Sequence, residues 1–406
     1  MQVVHERCCG LDVHKRVVVT CVLSGRGRTI RSFGTMTEDL EAMAAWLEEC
    51  DVTHVAMEST GVFWKPIHNV LEGHAFELLV VNAQHMKAIP GKKTDVKDAE
   101  WIADLLRHGL LKPSFVPSRP QRELRELVRY RKSLVRERAA ESNRVQKVLE
   151  GANVKLASVA TRVLGLSGRA MVEALISGVT DLTELADLAR GRLKTKHADL
   201  QRALRGVVGP HQRMLLAAQL RHIHYLDGEI ESLSQEIASR EQPDEAALAQ
   251  LQTTPGVGRR TAEVILAEVG ADLSRFPSAG HLASWAGLCP GQNESAGKRR
   301  SGRTRKGSAA LREALTEAAR AAARMRRCYL SAQYRRIAAR RGANRAAVAV
   351  AHSILVIAYH LLTKGSVYED LGSNYFDDRD KVATVNRAVA RIKRLGYEVT
   401  VTPNAA

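Results

Sequence analysis

The first hundred residues alternate between a period of two and a period of three to four. Cys8 to Val13 and Val17 to Leu23 are β-rich runs separated by a polar step, the pattern of a meander. From Thr37 to Glu49, Leu40, Met43, Ala44 and Leu47 fall at helical spacing, with Thr37 as the expected cap. Val52 to Met57 and Phe76 to Val81 read as short buried strands. A helix near Pro66 to Leu71 supplies the crossover that parallel strands require. From Asp95 a further helix is expected, with Ala99, Ile102, Ala103, Leu105 and Leu106 inward and an end at Gly109. These signals predict an α/β domain over residues 1–115.

Beyond it the pattern turns helical and highly charged. Leu124, Leu127, Tyr130, Leu134 and Val145 recur at helical spacing among dense Arg and Glu over 119–150. A second such stretch, Pro210 to Arg240, carries Leu216, Leu220, Ile223, Leu226, Ile230, Leu233 and Ile237. With a helical insert over 151–209 between them, the two predict an antiparallel coiled-coil hairpin within 116–245. Over 246–365 the expectation is a mostly α-helical domain. There Thr254-Pro-Gly-Val-Gly258 separates one helix from the next, Arg259 to Val269, and Trp285 and Pro290 fall in a loop. Residues 366–406 read as an appendage, periodic only from Val385 to Leu395.

Composition adds a polyanionic partner to this picture. Of 406 residues, 61 are Lys or Arg and 44 are Asp or Glu, a net charge of +17. The six cysteines show no zinc spacing and read as reduced, mostly buried thiols of a cytosolic protein. No secretory leader is expected, and the apolar runs read as broken by charge well short of a membrane span. No GxxxxGK[ST] loop points to a nucleotide cofactor.

Against that basic background, four acids stand at element ends. Asp12 lies in the apolar strand Gly10-Leu-Asp-Val-His14, where a carboxylate is costly unless ion-paired or metal-bound, and His14 shares its face. Glu58 ends the strand Val55-Ala-Met-Glu58, where ligands of α/β sheets collect. Asp95 and Asp98, three apart, are neighbours on a first helical turn. Taken singly, Asp95 suits a helix cap, Asp98 a solvated first-turn acid and Glu58 a strand-end acid, which leaves Asp12 unexplained. Together they are hard oxygen ligands for Mg2+ or Mn2+, and two such ions ~4 Å apart would clamp an in-line phosphoryl displacement.

Two further motifs suit phosphate. In Thr254-Pro-Gly-Val-Gly-Arg-Arg-Thr261, which resembles a helix-hairpin-helix loop, Gly256 and Gly258 would let backbone N–H groups approach a phosphate. Over 295–308, Lys298, Arg299, Arg300, Arg303, Arg305 and Lys306 stand with three glycines and no acid, and the cations continue along a helix through Arg312, Arg320, Arg324, Arg326 and Arg327. Ser295 and Ser301 are both hydroxyls in this stretch, and chemistry alone does not choose between them.

These motifs, in this order, resemble the IS110/IS1111-type insertion-sequence transposases, also described as bridge-RNA-guided recombinases. Gly10-Leu-Asp12-Val-His-Lys15, Glu58-Ser-Thr-Gly61 and Lys93-Thr-Asp95-Val-Lys-Asp98-Ala99 are similar to the family's acidic motifs. Pro255-Gly-Val-Gly258, Gly287-Leu-Cys-Pro290, Ser295-Ala-Gly-Lys298 and Gly302-Arg303 are similar to its C-terminal signature, with Ala296 where the family carries Gly. The resemblance implies an RNase H-like (RuvC-like) domain whose Asp12, Glu58, Asp95 and Asp98 hold Mg2+ or Mn2+. It implies that Ser295 attacks the DNA phosphate, with Ser301 the alternative, in a homodimer or homotetramer whose subunits share the site. It further implies a structured guide RNA pairing with donor and target DNA, in a bacterial cytoplasm at the nucleoid. The other readings are a RuvC-like nuclease using water and a non-catalytic nucleic-acid-binding scaffold.

Overall fold

The computed structural model describes residues 2–25, 27–59, 61–82, 97–291, 293–295, 298–301, 304 and 306–402, with the backbone alone at 97, 293–295 and 298–301. Its chain divides into two units, Met1–Val116 and Pro117–Ala406.

The first unit is built on a five-stranded sheet. Strands β1 (Cys8–Val13), β2 (Val17–Ser24) and β3 (Gly27–Gly34) form an antiparallel meander, and β4 (His54–Glu58) and β5 (Glu77–Val81) join parallel to β1. The order β3-β2-β1-β4-β5 puts β1 at the centre and fits the expected RNase H-like core. One face, including Cys9, Leu11, Val55 and Met57, packs on α1 (Thr37–Glu49) and α2 (Trp64–Leu71). The other, including Cys8, Ala56, Leu79 and Val81, packs on α3 (Lys97–Arg107). Both faces are covered, so β1 reads as an apolar run rather than an alternation.

Two local corrections arise here. The first turn of α1 is held by the Asp39 carboxylate, which accepts from the Met36 N–H at 3.3 Å, and Thr37 is already helical rather than the cap. Strand β3 was not legible in the sequence because it is the sheet edge, where only Phe33 is buried and Arg28, Thr29, Arg31 and Ser32 face out.

In the second unit, α4 (Arg119–Gly151) pairs antiparallel with α9 (Pro210–Arg240). Ile237 meets Leu124 and Val128, Leu226 and Ile230 meet Leu134, and Leu216, Leu220 and Ile223 share a core with Val145 and Leu149. Tyr130, expected in this stripe, is 57% exposed. The inward position belongs to its neighbour Arg131, a full residue step of about 100° round the helix. Between the two helices lie α5 (Leu156–Val159), α6 (Leu166–Ser177), α7 (Leu182–Asp187) and α8 (His197–Leu204), packed on the far ends of α4 and α9 through Met171, Val172, Leu185 and Leu200.

The rest of the unit runs α10 (Glu245–Gln252), α11 (Arg259–Val269), α12 (Ala279–Trp285), the hairpin β6 (Asn293–Ser295) and β7 (Lys298–Ser301), then α13 (Ala309–Arg324), α14 (Tyr329–Arg341), α15 (Ala343–Lys364), α16 (Tyr375–Asp378) and α17 (Lys381–Arg394). Trp285, expected in a loop, ends α12, and its ring lies tilted against Phe276 with centroids 5.6 Å apart. Arg326 and Arg327 lie past the end of α13 rather than on it, and Arg327 takes φ +59. No Asp, Glu, Lys or Arg interrupts α15 between Arg345 and Lys364, although His352 and His360 lie within it, contrary to the reading that charge breaks every apolar run. By length and composition α15 would cross a membrane. Here it buries Ala347, Val350, Ala351, Ile354 and Leu355 and packs against α10, α12, α13 and α14, as the central helix of a protein core does. The cysteines are free thiols, four buried and two half-buried.

Candidate nuclease and serine sites

Register brings two of the acids together. Leu11 of β1 pairs in parallel with Met57 of β4, so the next residues along, Asp12 and Glu58, come side by side at the carboxyl ends of the two strands. Side chains alternate across a sheet, so Asp12 lies on the same face as Gly10. That face is the one α3 covers. A Cβ on Gly10 would stand 2.3 Å from the Ala99 carbonyl oxygen and 2.4 Å from the Ala103 nitrogen, so glycine there lets α3 lie directly on β1. Cys8, further back on the strand, reaches Ala103, while Asp12 lies in the opposite direction, toward the start of the helix. Asp98 occupies the first turn at that start, one residue before Ala99.

The elements that carry Asp12, Glu58 and Asp98 therefore meet at one end of the sheet, beside a helix N-terminus. Asp95 lies outside the described residues. Asp12 is not sealed in the sheet as its apolar neighbours suggest: its side chain keeps 17% exposure, and His14 Nε2 stands 3.0 Å from its Oδ2, as their shared face predicts. Among the described residues, no three His, Cys, Asp or Glu side chains are gathered closely enough to hold an ion. The donor set itself, carboxylate oxygens beside one imidazole at an open strand end, suits Mg2+ or Mn2+ rather than a thiolate-seeking metal.

In the second unit, the two glycines of Pro255-Gly-Val-Gly258 do different jobs. Gly256 takes φ +86, and a Cβ on it would lie 2.3 Å from the Ala318 carbonyl oxygen, so its lack of a side chain is required by contact with α13. Gly258 is exposed, with open space around it, at the start of α11.

The basic stretch, which the sequence shows only as six cations among three glycines, contains an antiparallel hairpin in which Ser295 pairs with Lys298 and a bulge falls between Asn293 and Glu294. Its base is clamped. Pro290 bridges Thr304, and a Cβ on Gly307 would meet the Ala286 carbon and Gly287 nitrogen at 2.4 Å. Lys306 is exposed at this base. The side chains of Ser295, Lys298, Arg299, Arg300 and Ser301, and all of Arg303 and Arg305, lie outside the described residues.

Sequence reasoning missed the charged core behind the hairpin. Every residue of α11 from Ala262 to Val269 is buried, including Glu263 and Glu268. Glu268 accepts from Arg129 through both oxygens, at 2.7 and 2.9 Å, and from the Ser308 hydroxyl at 3.0 Å; Glu263 pairs with buried Arg131 and, at 3.1 Å, with Arg259. Burial pushes the Arg125 guanidinium down to about 10, with the Glu268 charge opposing that shift. Glu241, fully buried at the end of α9, has its carboxyl pushed up to about 8 by burial and by neighbouring Glu263, and among the described residues neither of its oxygens has a hydrogen-bond partner. The available signal was two acids inside an otherwise apolar helical run, facing the arginines of α4.

A transposase model of the DEDD type from the IS110 group matches residues 9–154, and one described as the transposase IS116/IS110/IS902 family matches residues 248–335. The chain belongs to the IS110 family of transposases. It is an enzyme of DNA transposition. Full-length relatives agree with this. The transposase for insertion sequence element IS1111A of Coxiella burnetii is 25% identical over 88% of this chain and 90% of its own. The transposase for insertion sequence element IS1328 of Yersinia enterocolitica is 26% identical over 80% of this chain and 88% of its own. An IS116 insertion-element protein of Streptomyces clavuligerus is 28% identical over 72% and 78%. The first model spans Asp12, Glu58 and Asp98, and the second spans Gly256, Gly258 and the serine hairpin.

Proposed function

We propose that this IS110-family protein cuts and rejoins DNA by serine transesterification. Ser295 attacks the scissile phosphate: its Oγ loses a proton and bonds phosphorus, and the sugar oxygen on the other side leaves with a proton. The incoming strand's sugar hydroxyl then reverses the step, releasing Ser295 and restoring a phosphodiester. Asp12, Glu58, Asp95 and Asp98 are the residues that would hold Mg2+ or Mn2+, which supplies charge neutralisation at the phosphate. His14 orients Asp12. The clamped base at Pro290, Thr304 and Gly307 fixes where the serine hairpin leaves the helical unit, while Gly258, Lys298, Arg299, Arg300, Arg303, Arg305 and Lys306 contact the DNA backbone.

The reading takes 1–115 as the RuvC-like domain, 116–245 as a coiled-coil arm with its insert, 246–365 as the transposase domain and 366–406 as an appendage. It includes a homodimer or homotetramer whose subunits share the site, and a structured RNA that pairs with donor and target DNA in the cytoplasm. The observation that carries it is the side-by-side register of Asp12 and Glu58 at an open strand end beside the start of α3.

The test is to trap the protein on nicked DNA with Mg2+ and look for a denaturant-resistant adduct. Adduct lost in Ser295→Ala and kept in Ser301→Ala is the expected result. An adduct that survives Ser295→Ala removes Ser295 as nucleophile, and cleavage with no adduct at all favours water.

A further inference from the structure

The helical insert carries a second electropositive surface, separate from the serine hairpin. An open cleft of about 560 Å3 lies between the start of α6 and the 3-10 turn Gly191–Lys196. Arg162, Arg190, Arg192 and Lys196 line it, and no Asp or Glu does. All four cations are exposed, and among the described residues none of them forms an ion pair. The walls are tied together: Lys196 donates to the Val159 carbonyl at 3.3 Å, and the Arg190 backbone N–H donates to the Ser167 hydroxyl at 2.9 Å. The first turn of α6, which follows the cap Gly165 and contains no acid, opens onto the same space.

We propose that this cleft grips the phosphate backbone of duplex DNA at a distance from the reaction site. Four cations with no ion-pair partner among the described residues repel each other around one concavity in the free protein and are satisfied by a ridge of phosphates. No Phe, Tyr, Trp or His lines the cleft, so it has no platform on which unpaired bases could stack, and a duplex backbone fits it better than a splayed strand. Spacing points the same way. From Arg131, held by Glu263 of α11, to Gly151, where the insert begins, α4 runs about 30 Å at 1.5 Å per residue. One turn of B-DNA is about 34–36 Å, so a duplex lying along α4 would offer nearly the same face at both ends. The proposal rests on DNA being the substrate of this transposase, and not on Ser295 being the nucleophile.

The test measures binding of the full-length protein to a DNA duplex several helical turns long across a salt series. Replacing Arg162, Arg190, Arg192 and Lys196 together by Ala should make the slope of log K against log salt shallower by about 3 to 4 and lower affinity at least ~10-fold near physiological salt. Arg192→Ala alone, at an exposed side chain, should cost about 1 in slope. Arg162→Lys, Arg190→Lys and Arg192→Lys combined should keep the slope, because the charges remain. An unchanged slope in the Ala variants overturns the proposal. So does an equal loss in the Lys variant, or a loss confined to a structured RNA hairpin probe with duplex DNA unaffected. Ser295→Ala should bind like the parent protein, so failure of the serine reading leaves this measurement standing.

Discussion

The carboxylates of the two units are the same chemical group set in opposite surroundings. Asp12 and Glu58 stand half-exposed at strand ends, and among the described residues Asp12 meets only His14 and Glu58 meets no cation. Glu263 and Glu268 are buried in α11 and already matched, the first by Arg131 and Arg259, the second by Arg129 and Ser308. A carboxylate whose charge is answered inside the protein holds the fold together. One left facing water without an arginine is available to a cation from solution. On a chain of net charge +17, it is the more informative fact that among the described residues no arginine pairs with Asp12 or Glu58.

The largest expected effect breaks this contrast directly. Arg131→Met leaves Glu263 buried beside only Arg259 and should cost about 3–5 kcal/mol of stability, read by denaturant or thermal unfolding. Pairing it with Glu263→Leu should recover much of that loss, because replacing both ions by apolar groups removes the desolvation cost. Asp12→Asn should do the reverse, leaving unfolding within about 0.5 kcal/mol of the parent protein while lowering strand cleavage roughly 10^2–10^3-fold. If Asp12→Asn unfolds the protein, Asp12 is a structural acid like Glu263 and the contrast fails.

How far this was legible in the sequence follows the same division. Strong periodicity located β1, β2, β4, β5 and the long helix Pro210–Arg240 within a few residues, because apolar faces covered on one or both sides leave a repeating signature, and the break at Pro255-Gly-Val-Gly258 located α11. The edge strand β3 hid because its residues face solvent and carry no such signature. Asp12, Glu58 and Asp98 were visible as acids out of place, but the meeting of their elements at one end of the sheet needed the β1–β4 register and the seat of α3 on Gly10, neither of which a single chain's spacing contains. Gly256 looked like a phosphate-binding glycine, yet its missing side chain is demanded by α13, and only the packing reveals that. Arg131 took the inward position from Tyr130 because an ion pair at Glu263 outweighs the apolar preference that a stripe assumes.

Glu241 gives a middle-sized effect that depends on pH. Its folded carboxyl, pushed to about 8 by burial and then by Glu263, lies above the ordinary unfolded value near 4.5. Its contribution is therefore fully present below about pH 4.5 and drains away as pH rises toward 8, since the unfolded chain ionises first. Glu241→Gln keeps a neutral side chain of the same shape, so it should leave stability at pH 5 nearly unchanged and raise it on the order of 2 kcal/mol at pH 8. Melting curves at the two pH values decide this. A gain equal at both would show that the ionisation of Glu241 plays no part.

The smallest effect sharpens what Ser308 does at the exit of the serine hairpin. Its hydroxyl oxygen accepts from the Leu311 N–H at 3.2 Å, capping α13, and its proton goes to Glu268 at 3.0 Å. Ser308→Ala removes the cap, worth about 1 kcal/mol, but Glu268 keeps the bidentate Arg129, so no buried charge is orphaned. The melting temperature should fall by about 2–4 °C for a unit of this size, and Ser308→Thr should restore most of it. A loss as large as that of Arg131→Met would mean that Glu268 depends on the serine more than on its arginine. The charged core would then reach to the root of the hairpin, and the buried carboxylates of α11 would be part of what holds the Ser295 strand in place.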